Sequence, residues 1–384
     1  MHVIIAGGGI AALEAALALD RLAGDHVNIE LIAPDDEFAY RPMTVVEPFG
    51  GPAVERFPIA DIAREAHAEV IVDRLAWVDR TGRCVHTESH RILAYDCLVL
   101  GLGAQARVQY EHAVTIDGCS GDPALQGLVA DLDRGRIGRL AFVVPALGSW
   151  QLPLYELALL SAARARQQGH PLSSAIFTPE ATPLEAFGAQ AGAAIAQLLA
   201  DHGIELTCGV DCRIPNFHTV ATSPRRHLGL DPGGPGDADA TFDRIVALPR
   251  LLGPQVRGIP SMSNGFIPID PHGRVRGARR VYAAGDGTDS PVKHGGMAAQ
   301  QADAAARSIA ALAGVDVEPA PAHPVIHGLL ITGEQPRYLS ARIIGGHGLE
   351  SAVSMRPLWS PPEKLEATYL AATLTELRRV REHV

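Results

Sequence analysis

The sequence predicts an α/β protein with two Rossmann-like, dinucleotide-binding parallel-sheet units, the first interrupted by the second, and a C-terminal segment. Three observations predict it. A β-branched run, His2 to Ala6, leads into glycines at 7, 8 and 9 and then into small and apolar residues at helical spacing as far as Leu22. Strand-like and helix-like stretches alternate again between residues 139 and 208, the pattern of a parallel sheet. A short apolar run ending in Ala-Ala-Gly-Asp-Gly lies almost a whole chain later, at 281–287.

Each element follows from local pattern. After Gly24, Asn28 to Ala33 reads as a second strand, which closes a βαβ unit. Residues 34–66 are Pro-rich and are expected to be irregular, and Glu69 to Val99 alternates like several short strands. In the second unit, Leu140 to Val144, Ser174 to Thr178 and Ile204 to Cys208 read as strands; Leu154 to Gln167 and Ala189 to His202 read as helices. Ser223 to Ala240, with Pro-Gly-Gly-Pro-Gly at 232–236, reads as a polar excursion. Phe242 to Pro249 reads as a strand returning towards the first unit, Gly314 to Pro324 as a linker, and about Lys364 to His383 as a closing helix. These readings divide the chain into 1–110 with 250–318, 111–249 and 319–384.

Composition excludes several function classes. A chain of 384 residues, 47% of them apolar, can bury more than one core, so disorder is not expected. A net charge of −10 without a basic run argues against nucleic-acid binding, which depends on phosphate neutralisation. The longest low-charge stretch, Leu140 to Tyr155, is broken by prolines and is too short to span a bilayer, and the N-terminus lacks a basic leader. A cytoplasmic location follows as the expectation. Five cysteines form no CxxC pair, and sixteen histidines form no HExxH or Cys/His cluster, so neither a disulfide framework nor a metal site is expected.

In Gly7-Gly-Gly-Ile-Ala-Ala12, Gly7 would make the tight turn, Gly9 would let the backbone approach a pyrophosphate, and Ala12 would allow close helix–sheet packing. The acidic ribose partner expected about 20 residues on has its candidate in Asp35, just past the second strand. Only Lys293 and Lys364 are lysines among 33 basic residues, so a lysine beside the late Gly-Asp motif carries information. A solvated surface lysine is the competing reading.

The two Gly motifs, together with Tyr95-Asp-Cys-Leu-Val-Leu-Gly-Leu-Gly-Ala104, resemble the FAD-dependent pyridine nucleotide-disulfide oxidoreductase superfamily. Phe38-Ala-Tyr-Arg-Pro42, Ser149-Trp-Gln-Leu-Pro-Leu-Tyr-Glu156, Thr178-Pro-Glu180 and Pro291-Val-Lys-His-Gly-Gly-Met297 are similar to its sulfide:quinone oxidoreductase and flavocytochrome c sulfide dehydrogenase branch. The resemblance implies FAD, with Arg41, Pro42, Gly103, Gly285, Asp286, Lys293, Gly295, Gly296 and Met297 joining Gly7, Gly9, Ala12 and Asp35 around it. Asp286 would meet the ribityl chain. The helix opening near Gly295, with Lys293, would favour the anionic reduced flavin. Tyr40 and Trp150 are the expected substrate-pocket residues.

The departures bear on the substrate. Trp150 stands where that branch carries a redox cysteine, and Gly328 is placed near the position of a later one. Persulfide chemistry needs a thiolate beside the flavin, and of the remaining cysteines Cys119 is the candidate. The first strand of the second unit runs into Val144-Pro-Ala-Leu-Gly-Ser-Trp-Gln-Leu-Pro153 rather than G-x-G-x-x-G, so standard NAD(P)H binding is not provided. His294 is a candidate proton relay or a structural histidine.

The resulting expectation is an FAD-dependent oxidoreductase passing electrons from a small-molecule donor to oxygen, a quinone or a protein acceptor. The alternatives are an NAD(P)H-dependent flavin reductase, sulfide or persulfide oxidation through Cys119, and a non-catalytic electron-transfer subunit. Candidate catalytic residues are Lys293, His294 and Cys119. A homodimer is left open, and the C-terminal helix is expected to dock on the protein or on a second subunit.

Overall fold

A computed structural model describes residues 1–116, 118, 120–145, 149–225, 237–344 and 347–382. The chain opens with β1 (His2–Ala6), α1 (Ile10–Ala23) and β2 (Asn28–Ala33), and β1 pairs parallel with β2 as the sequence predicts. The stretch 34–66 is more regular than expected. It contains an antiparallel pair, β3 (Glu37–Ala39) and β4 (Arg56–Pro58), and a helix, α2 (Ile59–Glu65). Ile59, Ile62 and Ala63 are buried, so one turn-and-a-half of apolar spacing suffices to hold α2 despite its short length.

β5 (Glu69–Val72) extends the sheet. A meander of β6 (Leu75–Asp79), β7 (Cys84–Thr87) and β8 (Ile92–Ala94) precedes β9 (Cys97–Leu100). β9 is buried along its whole length, as a strand covered on both faces of a parallel sheet must be. β10 (Gln105–Arg107) then leads to the second sheet.

That sheet contains β11 (Val114–Thr115), then α3 (Pro123–Asp133), β12 (Arg139–Val143), α4 (Leu152–Gln167), β13 (Ser173–Phe177), α5 (Gly188–Asp201) and β14 (Ile204–Thr207). The helices and strands read from sequence here are found within a residue or two at each end. Asp122 caps α3 by accepting the N–H groups of Ala124 and Leu125. The polar excursion is flanked by an antiparallel sheet of β15 (Val210–Asn216), β16 (Thr219–Pro224) and β17 (Ala238–Thr241); residues 226–236, including the Pro-Gly-Gly-Pro-Gly run, lie outside the described residues.

The stretch from Phe242 to Pro249 contributes β18 (Arg244–Ala247), which stays in the second sheet between β11 and β12. The return is made by β19 (Arg250–Leu252), antiparallel to β10. β20 (Val281–Ala283) rejoins the first sheet beside β9, in the order β20-β9-β1-β2-β5. One sheet is thus assembled from both ends of the chain.

α6 (Gly295–Leu312) lies against α1, and Ala11, Ala15, Ala298 and Ala302 are all buried in their common core. Alanine at these places lets the helices approach closely. Two features past α6 were not predicted. β21 (Val325–Leu330), β22 (Arg337–Ile344) and β23 (His347–Ser354) form an antiparallel sheet. The closing helix, α7 (Leu370–Glu382), starts six residues later than the expected Lys364. Its start is set by Glu14 of α1, fully buried, whose carboxylate accepts the N–H groups of Tyr369 at 2.9 Å and Leu370 at 2.6 Å.

Candidate functional site

A cavity of about 1090 Å³ runs along the C-terminal ends of β1 and β9, between α1, α4 and α6. Ligands of open α/β sheets bind at this position. Gly7, Gly9, Asp35, Arg41, Pro42, Gly103, Gly285, Asp286, Lys293, His294, Gly295 and Trp150 all line it. Two segments separated by almost 280 residues meet there, because β1 and β20 flank β9 in one sheet.

The glycines are required by space. Gly7 has φ +133°, and a Cβ there would sit 2.2 Å from the carbonyl oxygen of Gly101. Gly9, the N-cap of α1, has open space where its side chain would be. Gly285, φ +84°, is wedged between Ala11 of α1 and Ala298 of α6. Its N–H is donated to Gln301 Oε1 at 2.8 Å, and Thr288 Oγ1 donates to its carbonyl at 2.8 Å, which fixes the turn that presents Asp286. No side chain caps α1 or α6, so the N–H groups opening both helices remain available to an anion in the cavity.

Lys293 is buried. Its ammonium donates to the Thr288 carbonyl at 2.5 Å and lies 3.8 Å from the Phe266 ring centroid. Burial draws it down to about 8 from the usual lysine range, while Asp286 and Asp289 oppose the shift. Half-buried Asp286 is raised by burial, with Lys293 opposing. Among the described residues its carboxylate has no hydrogen-bond partner.

His294 is buried, with its ring centroid 4.5 Å from that of Trp150. Burial, with His327 adding and Glu366 opposing, pulls it down to about 4, so its imidazole is neutral near pH 7; Nδ1 has no partner.

Other expected residues fall elsewhere. Tyr40 does not line the cavity: it is in the core under Arg378, whose guanidinium lies 5.3 Å from its ring, and burial raises its hydroxyl to about 12. Met297 points into the apolar core shared with the second sheet. Gly296 faces the His294 ring and the Glu366 carbonyl rather than the cavity. Ala12 packs beneath Gly101, consistent with the helix–sheet contact expected of it. Thr178 and Glu180 form a buried network with Tyr155 away from the cavity, in which burial raises Glu180 to about 7. Cys119 lies outside the described residues.

Four cavity-lining or adjoining groups escaped the sequence reading. Glu156 on α4, fully buried, accepts from the Lys364 ammonium at 2.7 and 2.8 Å and from the Ile331 N–H at 2.9 Å. Burial raises Glu156, and Lys364 opposes it. His327 on β21 is hydrogen-bonded through Nδ1 to Glu366. Both lysines of the chain therefore line this cavity. The scarcity that marked Lys293 marks Lys364 equally.

The thiol positions of the resembled branch are sterically filled. A Cβ on Gly328 would lie 2.5 Å from Cζ of the fully buried Phe187, and Trp150 packs against the same ring at 5.7 Å between centroids. Of the described cysteines, Cys84, Cys97, Cys208 and Cys212, none lines the cavity.

This architecture is the two-unit Rossmann-like fold of the FAD-dependent pyridine nucleotide-disulfide oxidoreductases. Among solved structures, the sulfide:quinone oxidoreductase from the hyperthermophilic bacterium Aquifex aeolicus superimposes with a TM-score of 0.80 at 20% identity, over 99% of this chain and 91% of that one. The ferredoxin reductase for the CYP199A2 system from Rhodopseudomonas palustris gives 0.62 at 18% identity, over 90% and 83%. A NAD-dependent persulfide reductase from A. fulgidus gives 0.61 at 15% identity, over 90% and 64%. No family model matches the chain, and no curated protein matches it significantly. No helix among the described residues is long and apolar enough to cross a membrane.

Proposed function

We propose that the chain is an FAD-dependent oxidoreductase that takes an electron pair from a small-molecule donor and passes it to oxygen, a quinone or an electron-transfer protein. The observation that carries this reading is the single cavity joining the Gly7–Gly9 turn to Asp286, Lys293 and Trp150. When bound, FAD supplies reversible two-electron chemistry.

The chain's own groups divide the work. The opening of α1 and Gly9 would hold the pyrophosphate, Asp35 the adenosine ribose and Asp286 the ribityl hydroxyls. Arg41, Pro42 and Gly103 would border the cofactor. Lys293 and the N-terminus of α6 would place positive charge beside the pyrimidine edge, favouring electron uptake. Trp150 and His294 would wall the substrate side and exclude water.

The sterically filled thiol positions favour a reaction that does not pass through a persulfide on the protein. The test is anaerobic stopped-flow reduction of the yellow protein with sulfide, NADH and NADPH in parallel. The reading expects none of the three to bleach the flavin at a catalytic rate. Rapid bleaching by NADH or NADPH would promote a nicotinamide-dependent reductase, and rapid bleaching by sulfide would return the reaction to sulfur.

A further inference from the structure

We propose that His327 and Glu366 form a general acid–base pair that exchanges a proton with an oxygen of the substrate as its electron pair is transferred in the cavity. This rests on the flavin reading above and goes beyond it in assigning the proton.

The geometry is that of an oriented imidazole. His327 Nδ1 is bonded to a Glu366 carboxylate oxygen. The ring also stacks on Trp359, with centroids 4.7 Å apart and planes 10° from parallel. Trp359 is in turn held by Nε1 donation to the Glu363 carbonyl at 3.0 Å and by edge contact with Tyr338. A carboxylate that receives Nδ1–H leaves Nε2 as the exchanging atom, the arrangement that makes histidine a positioned acid or base. His327 lines the cavity, its side chain is 15% exposed, and that of Glu366 is 44% exposed, so the pair spans from cavity to solvent.

The surrounding charges leave this role to His327. His294, at the start of α6, is neutral near pH 7 and its Nδ1 is unpartnered. Lys364 and Glu156 neutralise each other, and Lys293 is committed to Thr288 and Phe266. Of the groups facing His327 from β22, α6 and the C-terminal segment, Glu366 is the anion bonded to it.

The balance is closed for a quinone-type acceptor. One carbonyl oxygen receives a hydride equivalent from the reduced cofactor, the other receives the proton from His327 Nε2, and a hydroquinone leaves. His327 regains its proton from solvent past Glu366. For a hydroxyl donor the direction reverses: the O–H proton passes to Nε2, the C–H hydride to the cofactor, and a carbonyl forms.

The experiment uses holoprotein reduced by light and reoxidised by duroquinone, followed by stopped flow across pH, with FAD content measured for every variant. His327→Gln is expected to slow reoxidation about 100-fold, within the range of general acid catalysis, and to flatten its pH dependence. Glu366→Gln, which keeps an acceptor but removes the charge, is expected to move the fall in rate towards lower pH. Nitrogen-15 histidine spectra of the wild type supply a readout independent of turnover, with the expected signal an Nδ1–H tautomer for His327.

Unchanged rates and pH profiles in FAD-replete variants, or an Nε2–H tautomer, would overturn the assignment. A wild type that binds no FAD would instead overturn the flavin reading. If the pair acts only on a donor, the quinone profile stays flat while reduction by a small alcohol such as 2-propanol shifts with Glu366→Gln; flat profiles in both directions reject the pair.

Discussion

At residue scale, a cation in a chain with two lysines is an informative letter. Lys293 is legible from its place after the Gly-Asp motif, and its buried ammonium stands beside Asp286. Replacing it with Met should lower the two-electron potential of bound flavin by on the order of 30 mV, equivalent to about 1.4 kcal/mol, as read by dye equilibration. Gly328 is the complementary case. Gly328→Ala should destabilise the fold by about 1–3 kcal/mol, because the added methyl must displace the Phe187 ring from a filled core; urea denaturation measures it. The glycines of the two turns were readable because backbone geometry is a local property. Glu156, His327 and Glu366 were not, because their partners lie 39 to 208 residues away and only the packing of α4, β21 and the C-terminal segment brings them together.

At element scale, the strands and helices of the two parallel sheets were largely visible, since buried strands are continuous apolar runs and their helices keep a helical period. The β21–β23 sheet was not. His327 and Gly328 interrupt the first strand, and Gly348, Glu350 and Ser351 interrupt the last, so alternation is weak. The late start of α7 is likewise tertiary, fixed by Glu14. Burial, aided by Asp303, raises the Glu14 carboxyl to about 8, so the folded protein holds a proton that the unfolded chain releases near 4.5. Its contribution is full below about pH 4.5 and is lost as pH rises through about 8. The difference in melting temperature between wild type and Glu14→Gln should therefore become less favourable to wild type across that window. The Glu156–Lys364 pair makes a separate prediction. Lys364→Met leaves a buried carboxylate unpaired and should cost about 3–5 kcal/mol, much of it recovered in the double variant Glu156→Gln/Lys364→Met.

At the scale of the whole molecule, the chain brings its two ends into one sheet and lays the second sheet beside them, so that three helix N-termini, of α1, α4 and α6, contribute residues to one cavity. That convergence explains why motifs almost 280 residues apart read as one site. It also explains why the flavin was legible before its redox partner: the dinucleotide cradle is made of turns, whereas the substrate wall is made of contacts among Trp150, Phe187, His294 and Gly328. The most direct measurement is the absorbance spectrum of purified protein before and after denaturation. The account predicts a bound-flavin spectrum with bands in the blue and near ultraviolet, release of close to one FAD per chain, and its loss in Gly7→Val. Colourless protein that does not take up FAD on reconstitution would contradict it.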